Sequence, residues 1–233
     1  MRARILIAAL AATAALALPA ASAPAQRRAV QRDWTQTVVR TPEGGFRMGN
    51  PQASVKVIEF LSLTCPHCAQ FAAQGAPRLI QDHVRTGRVS LEYRNYVLNG
   101  YDLAASFLSR CAPPSRYFDL TGALLAGQRQ WMARTDALTE AQRTELRGMQ
   151  PLAAMQRIVA LLGLDAIGAR HGVPASVQRT CLADQASLTR LTGMREAAGR
   201  DFGVHATPSF VVNGRLADHV HDWAALEPLL GGR

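Results

Sequence analysis

The chain has 233 residues, which is enough for one sizeable domain or for a domain that carries a large insertion. With 48% hydrophobic and 18% charged residues, its composition is that of a globular protein and excludes the disordered and fibrous classes. The formal net charge is +9, but the basic residues are scattered and are not grouped with aromatic residues. We therefore expect no nucleic-acid partner.

Residues 1–25 are predicted to be a signal peptide. Arg2 and Arg4 precede an apolar stretch at residues 5–18, which is too short to span a bilayer comfortably, and small residues follow it. We expect cleavage after Ala25, and an uncleaved membrane anchor is the alternative. Either outcome implies export, most simply to a bacterial periplasm, and cysteine usage suits such an oxidising compartment. Residues 26–34 are expected to form a flexible tail.

Two strands are predicted in the next part of the chain. The first is at residues 35–39, and a loop at residues 48–51 leads into the second, at residues 55–61. The second strand is apolar on both faces except for Lys56 and Glu59. This pattern is typical of a central strand that is covered on two sides.

A helix is predicted to begin at Pro66, because proline suits the first helical turn, where its missing N–H costs nothing. It should run towards His83 with a kink at Pro77. An alternating strand at residues 89–94 follows after a short turn. Strand, helix and strand in this order predict a right-handed βαβ unit.

Between residues 103 and 200 the sequence shows helical runs and no convincing strand. The runs are at residues 103–111, 115–126, 139–147, 152–162, 164–170, 173–182 and 185–200. Strand character returns at residues 209–212, where Asn213-Gly214 signals a hairpin into residues 215–217. A last helix is predicted at residues 223–230, with Pro228 in an awkward position inside it.

This order of elements predicts the α/β class. The β-containing segments, residues 35–102 and 201–233, are each too small to fold alone, so we expect them to share one mixed sheet. Residues 103–200 would then be a large all-helical subdomain inserted into it.

Cys65-Pro66-His67-Cys68 is the motif that carries chemistry. At a helix N-terminus the sulfur of Cys65 faces unpaired N–H groups and the positive end of the helix dipole, and both favour a thiolate. His67 can add a donor or a positive charge, and Cys68, one turn on, would resolve mixed disulfides. The alternatives are a structural disulfide, which so short a loop makes unlikely, and half of a zinc site, which lacks a second ligand pair.

Glu59, close upstream of this motif, has two interpretations that the residues leave open. A carboxyl group on a central strand is expected to be buried with a raised pKa, and it could relay a proton to or from Cys68. It could equally form an ordinary salt bridge with Lys56 or an arginine.

The other two cysteines, Cys111 and Cys181, lie in the helical segment. They could be buried free thiols, but two remaining cysteines in an oxidising compartment favour a structural disulfide. His219 and His221 could share one face, but with no third ligand we predict no metal site.

Two motifs in this order resemble the DsbA-like thioredoxin-fold family. They are Val57-Ile58-Glu59-Phe60 ahead of Cys65-Pro66-His67-Cys68, and Ala206-Thr207-Pro208-Ser209-Phe210-Val211-Val212-Asn213-Gly214. The helical segment between them resembles that family's inserted helical domain. The resemblance implies a thioredoxin-like sheet and a cis peptide bond at Thr207-Pro208 beside the substrate. It also implies Cys65 as the exposed nucleophile, Cys68 as the resolving thiol and Glu59 as the buried acid.

The function predicted on these grounds is that of a periplasmic thiol:disulfide oxidoreductase that introduces disulfides into exported proteins through Cys65 and Cys68. The expected partners are exported cysteine-containing clients and a membrane quinone-linked thiol oxidase, with no further cofactor and a monomeric state. Thr207 stands where the best-known oxidases have an aliphatic residue, and threonine here also occurs in isomerases and reductases. The alternatives are therefore an isomerase or reductase of the same fold, or a chaperone-like binding protein with an incidental cysteine pair.

Overall fold

The computed structural model describes residues 32–231, so the predicted signal peptide and most of the predicted tail lie outside the described residues. One six-stranded sheet forms the centre of the molecule. In chain order the strands are β1 (Val38–Arg40), β2 (Phe46–Gly49), β3 (Val55–Leu61), β4 (Val89–Asn95), β5 (Ser209–Val212) and β6 (Arg215–Leu216). Their spatial order is β1-β2-β4-β3-β5-β6; β3 and β4 run parallel, and every other neighbouring pair is antiparallel.

β3 lies in the interior of the sheet, between β4 and β5. Val57, Phe60 and Leu61 are at most 1% exposed, as expected for a strand that is covered on both faces. Because β3 is hydrogen-bonded on both sides, its carboxyl end is held firmly, and so are the residues that come directly after it.

The first predicted strand, at residues 35–39, is misplaced. Trp34–Gln36 form a 3₁₀ turn, and Asp33 caps it by accepting a hydrogen bond from the Thr35 N–H at 3.0 Å. β1 begins only at Val38. A local side-chain cap therefore overrides the strand preference of this segment.

β2 begins before, and runs into, the predicted loop at residues 48–51. Gly49 has φ of +112°, and a Cβ at this position would lie 3.0 Å from the carbonyl oxygen of Val89. The glycine that suggested a turn is thus the residue that lets β2 end in close contact with β4.

The helix after β3 is broken earlier than predicted. α1 (Pro66–Gln74) ends at Gly75, where a Cβ would lie 2.5 Å from the ring of Phe71. The single turn α2 (Ala76–Arg78) and a π-helical turn at Leu79–Val84 follow. This interruption is the one expected from Pro77, which lies in the first turn of α2, two residues after Gly75, and whose missing N–H cannot bond to the preceding turn of α1.

Eight helices lie between β4 and β5. They are α3 (Gly100–Arg110), α4 (Pro114–Ala126), α5 (Gln128–Asp136), α6 (Glu140–Gly148), α7 (Pro151–Leu161), α8 (Leu164–Arg170), α9 (Ala175–Cys181) and α10 (Gln185–Phe202). α5 was not predicted, because its sequence is mostly polar and only Gln128, Trp131 and Thr135 are buried, which leaves no apolar stripe to detect.

Within residues 32–231, no single helix is long and apolar enough to cross a membrane. The pair α7 and α8, bent by 79°, together meets that test of length and composition.

The C-terminal part of the fold follows the sequence pattern closely. Asn213 and Gly214 both have positive φ, +50° and +82°, and join β5 to β6 in a tight hairpin. Asp222 caps α11 (Trp223–Leu226), but the predicted helix does not continue as an α-helix. A 3₁₀ turn at Glu227–Leu230 replaces its second half, because the ring and the missing N–H of Pro228 do not fit a helix interior.

The helices pack onto the sheet through a large apolar core and a second, smaller cluster that includes Phe60 of β3 and Ala198 of α10. Phe46 of β2 stacks on Tyr117 of α4, with ring centroids 3.7 Å apart and planes 8° from parallel. A disulfide joins Cys111, at the end of α3, to Cys181, the last residue of α9. The bridge holds together two helices that are far apart in the sequence.

Replacing Cys111 and Cys181 together by alanine is expected to lower the free energy of unfolding by about 4 kcal/mol, because the bridge closes a 70-residue separation in the unfolded chain. Urea unfolding of the wild-type protein and the double variant, without reductant, measures the difference. Equal stabilities would show that this bridge restrains the unfolded chain far less than its loop length implies.

Candidate active site

Cys65 is the N-cap residue of α1, four residues beyond the end of β3. Its backbone is extended (φ −83°, ψ 120°), and its carbonyl oxygen accepts the first helical hydrogen bond, from Ala69 N–H at 3.2 Å. Pro66 occupies the first helical position. The short loop therefore turns the sulfur of Cys65 towards the free N–H groups at the start of α1.

Several donors favour the thiolate of Cys65. Hydrogen bonding from the Cys68 thiol is the largest influence that lowers the pKa of Cys65, to about 5. The side chain of Thr207 and the backbone N–H groups of Cys68 and His67 lower it further, while burial opposes them. Cys65 is only 5% exposed, so the expectation of an exposed nucleophile is wrong. In the protonated form, Cys65 Sγ donates to the carbonyl oxygen of Thr207 at 3.2 Å, a contact that deprotonation gives up.

Cys68 has the opposite environment. It is fully buried, and burial is the main reason that its pKa is raised far above the usual value. The hydrogen bond to Cys65 raises it further, as does Glu59 once that carboxyl group is ionised, and only a weak hydrogen bond from the Ser62 N–H, at 3.5 Å, opposes them. Both cysteines are free thiols in this structure. One turn of helix thus separates an acidic sulfur from a strongly basic one.

Glu59 lies in β3, opposite Tyr93 of β4 and Phe210 of β5. It is 1% exposed, and burial, with a smaller contribution from Cys65, raises its pKa to about 8. Among residues 32–231 it forms no ion pair, and its Oε2 has no hydrogen-bond partner. The structure therefore favours a buried, protonated acid over the salt bridge that the sequence left open.

His67 is exposed, and it is its backbone N–H, rather than its imidazole, that lowers the pKa of Cys65. The expected contribution of a charged ring at this position is not among the causes of that shift.

Thr207 and Pro208 complete the site from the other end of the chain. Their peptide bond is cis, and the Thr207 carbonyl faces Cys65. Pro208 is buried, and its carbonyl oxygen is 2.9 Å from Nδ1 of His221. The contact with His221 was not foreseen, because nothing in the sequence links a histidine after β6 to the proline before β5.

Two further side chains near Cys65 escaped the sequence analysis. Asp102 of α3 and Gln128 of α5 are buried and hydrogen-bonded to the loop that precedes Cys65. Neither lies in a recognisable motif, so only the three-dimensional contacts reveal them.

A groove of about 690 Å³ runs beside the motif between α1 and α5. Apolar side chains dominate its lining, and Arg129 and Asp136 contribute opposite charges. Within residues 32–231, no three His, Cys, Asp or Glu side chains are grouped so that they could hold a metal ion. The groups of this site that can exchange electrons or protons are the two sulfur atoms and the carboxyl group of Glu59. The residues that line the groove are Thr64, Pro66, Ala69, Gln70, Ala73, Leu125, Ala126, Gln128, Arg129, Met132, Ala133, Thr135 and Asp136.

Glu59→Gln is expected to become progressively more stable than the wild-type protein as pH rises from 5 to 8. The pKa of Glu59 is about 8 in the folded chain and near 4.5 in the unfolded chain, so between these values unfolding releases a proton. Rising pH therefore favours unfolding of the wild-type protein by about 1.4 kcal/mol per pH unit, and glutamine removes that dependence.

Urea unfolding of both proteins in the oxidised form, where Cys65 carries no charge, tests this expectation. Below pH 4.5 both states hold the proton, so the difference in stability should become independent of pH there. Parallel profiles from pH 5 to 8 would contradict a buried, protonated Glu59.

Comparison with known proteins agrees with this geometry. Residues 41–231 match the family described as thioredoxin. A solved structure of a protein-disulfide isomerase from Novosphingobium aromaticivorans is 32% identical, with a TM-score of 0.74, over 79% of this chain and 94% of that one. Wolbachia pipientis alpha-DsbA1 shares the fold at 22% identity, with a TM-score of 0.55 over 79% of this chain and 87% of that one.

A curated relative from Rickettsia bellii, provisionally named a protein-disulfide oxidoreductase, is 26% identical over 172 residues, which are 74% of this chain. The chain spans 58% of the length of that relative. The family match covers the whole sheet from β2 onwards, the inserted helices and both halves of the candidate site. The chain therefore belongs to the thioredoxin family, and its fold is that of the DsbA-like members.

Proposed function

We propose that this protein is a periplasmic thiol:disulfide oxidoreductase that introduces disulfides into exported proteins through Cys65 and Cys68. The observation that carries the proposal is that the pKa of Cys65 is lowered while that of Cys68, one helical turn away, is raised. Both lie at a helix N-terminus that faces Thr207-Pro208. Relatives named for protein-disulfide exchange support the reaction type.

The lowered pKa of Cys65 supports the oxidising direction. A thiolate that is stabilised in the reduced enzyme makes the reduced state more favourable, so the Cys65–Cys68 disulfide accepts electrons readily. The same thiolate is a good leaving group when a mixed disulfide with Cys65 is resolved.

The exchange has two steps. A client thiolate attacks Sγ of Cys65, the Cys65–Cys68 bond breaks, and its electron pair goes to the sulfur of Cys68. Because the pKa of buried Cys68 is raised, this sulfur needs a proton, and Glu59, with its pKa of about 8, holds one at neutral pH. A second client thiolate then attacks the client sulfur and displaces Cys65 as a thiolate. The client loses two electrons and the enzyme gains them.

Alignment of the client is the role we assign to Thr207 and Pro208. The strand that follows them, β5, is hydrogen-bonded to β3 on one side and to β6 on the other, so it offers no free edge to a client. We propose that an extended client segment pairs with the backbone at Thr207, which lies directly beside Cys65. This places a client sulfur in reach of the reactive thiol.

The remaining parts of the proposal follow from the sequence. Export depends on the signal peptide at residues 1–25, and the clients are exported proteins with cysteines. A membrane quinone-linked thiol oxidase would take up the two electrons and restore the Cys65–Cys68 disulfide. We propose that the enzyme works as a monomer.

A disulfide isomerase is the second candidate. Two observations favour it: the name of the Novosphingobium protein, and the threonine at position 207. An isomerase acts from its reduced form, whereas an oxidase acts from its disulfide, so the redox poise of the pair distinguishes the two.

The reduction potential of the Cys65–Cys68 pair is expected to lie above about −200 mV, well above the value of about −270 mV for thioredoxin, because the thiolate of Cys65 is stabilised. Equilibration with glutathione buffers at pH 7, followed by alkylation and mass analysis, gives this value. A potential near that of thioredoxin would rule out the oxidase.

Cys65→Ser is expected to abolish oxidation of a model dithiol peptide by the enzyme. Cys68→Ser, mixed with the oxidised peptide, should instead accumulate a mixed disulfide: the Cys65 thiolate attacks the peptide disulfide, one peptide sulfur leaves as a thiolate, and no Cys68 thiol remains to displace the other. Stopped-flow fluorescence and intact mass spectrometry follow the two outcomes. If Cys65→Ser still oxidises the peptide, the mechanism is wrong. If neither the wild-type protein nor Cys65→Ser oxidises the peptide, and both suppress client aggregation equally well, the protein is a chaperone-like binder.

A further inference from the structure

The backbone of Leu63, two residues before Cys65, is held through both its N–H and its carbonyl group by the inserted helices. Its N–H donates to Oδ1 of Asp102 at 2.9 Å. Its carbonyl oxygen accepts from Nε2 of Gln128 at 2.8 Å. The same nitrogen of Gln128 reaches the carbonyl oxygen of Cys65 at 3.0 Å.

Gln128 therefore uses both amide hydrogens on the loop that carries the reactive cysteine. It is the first residue of α5 and is only 7% exposed, so water is a poor substitute for its two donors. If the amide were removed, two carbonyl groups next to Cys65 would lose a buried hydrogen bond each.

Asp102 completes the attachment from α3. It is fully buried, and it also accepts hydrogen bonds from Leu98 N–H at 2.9 Å and Ser106 Oγ at 3.1 Å. The carboxylate is thus fixed by its own helix and by the segment before it, so it forms a rigid anchor for the Leu63 N–H. The loop has little freedom to rotate as long as both anchors hold.

The orientation of this loop decides what the Cys65 sulfur faces. Cys65 is the N-cap residue, and its extended backbone turns the sulfur towards the start of α1, where the N–H groups of Cys68 and His67 add to the stabilisation of its thiolate. The Cys65 carbonyl has one helical partner, Ala69 N–H at 3.2 Å, and Gln128 is the second. Gln128 thereby connects the inserted helices to the geometry of the reactive thiol.

We propose that Gln128 is a positioning residue, which holds the backbone of Cys65 so that the N–H groups at the start of α1 point at its sulfur. The residue does not touch the reacting atoms. It acts through the carbonyl groups of Leu63 and Cys65, and in this way the helical insertion sets the reactivity of the cysteine pair.

The test compares Gln128→Met with a matched control, Gln178→Met. Gln178 is also buried, and its Nε2 also donates to two backbone carbonyls, those of Asp165 at 2.9 Å and Val173 at 2.7 Å. Those carbonyls lie around α8 rather than next to Cys65. Methionine keeps the length of the side chain and removes the donors, so the two variants lose the same kind of contacts.

The measurement is a pH titration of the Cys65 thiolate by its absorbance at 240 nm in the reduced proteins. We expect a pKa of about 5 in the wild type and in Gln178→Met, and a rise of about one unit in Gln128→Met. At pH 7 that rise should make the disulfide about tenfold less oxidising against glutathione, which is ~30 mV. Because Cys65 itself is titrated, the readout does not depend on the proposed function.

An unchanged Cys65 pKa in Gln128→Met, with a loss of urea stability equal to that of Gln178→Met, would overturn the proposal and leave Gln128 a purely structural role. A rise in both variants would overturn it too, because any loosening of the helices would then suffice. If Gln128→Met does not fold, Gln128→Asn provides the test. Its shorter amide cannot reach both carbonyls, so we expect a smaller rise, and no rise would contradict the proposal.

Discussion

The unequal electrostatic environments of two sulfur atoms one helical turn apart are the constraint on which this site depends. The Cys68 thiol, Thr207 and the backbone N–H groups of Cys68 and His67 stabilise a negative charge on Cys65, whereas burial opposes one on Cys68. A disulfide between them joins a sulfur that readily carries charge to one that resists it. The position of α1 on the sheet therefore determines which of the two sulfurs carries the negative charge when the disulfide is broken.

That position is the product of the whole fold. β3 brings the chain to the centre of the sheet and places Glu59 below the helix, where burial keeps it protonated. The same strand pairs with β5, which directly follows Thr207 and Pro208. A carboxyl group in this position destabilises the folded chain at high pH, a cost that is typical of functional sites.

The features predicted from the sequence are those encoded over short distances. A strand that leads into Cys65-Pro66-His67-Cys68 and the hairpin at Asn213 and Gly214 are local patterns, and the mixed sheet with helices inserted follows from their order. The disulfide between Cys111 and Cys181, which the structure contains, could be favoured but not decided, since spacing alone does not show which helices pack together.

The features that were missed depend on contacts between distant segments. α5 is mostly polar because it packs through few side chains, and Gln128 matters only because α5 begins beside the active-site loop. Glu59 could not be assigned either, since its burial depends on which strands flank β3. The misplaced first strand likewise results from the cap at Asp33.

The separation of Cys65 from Thr207 along the chain has a consequence for biosynthesis. The two residues that meet at the site are 142 positions apart, so a ribosome delivers Cys65 and Cys68 long before Thr207. Until residues 209–212 have emerged, β3 lacks its neighbour β5. A chain cut before Thr207 would therefore display the two cysteines without the backbone that lies beside them in the folded protein.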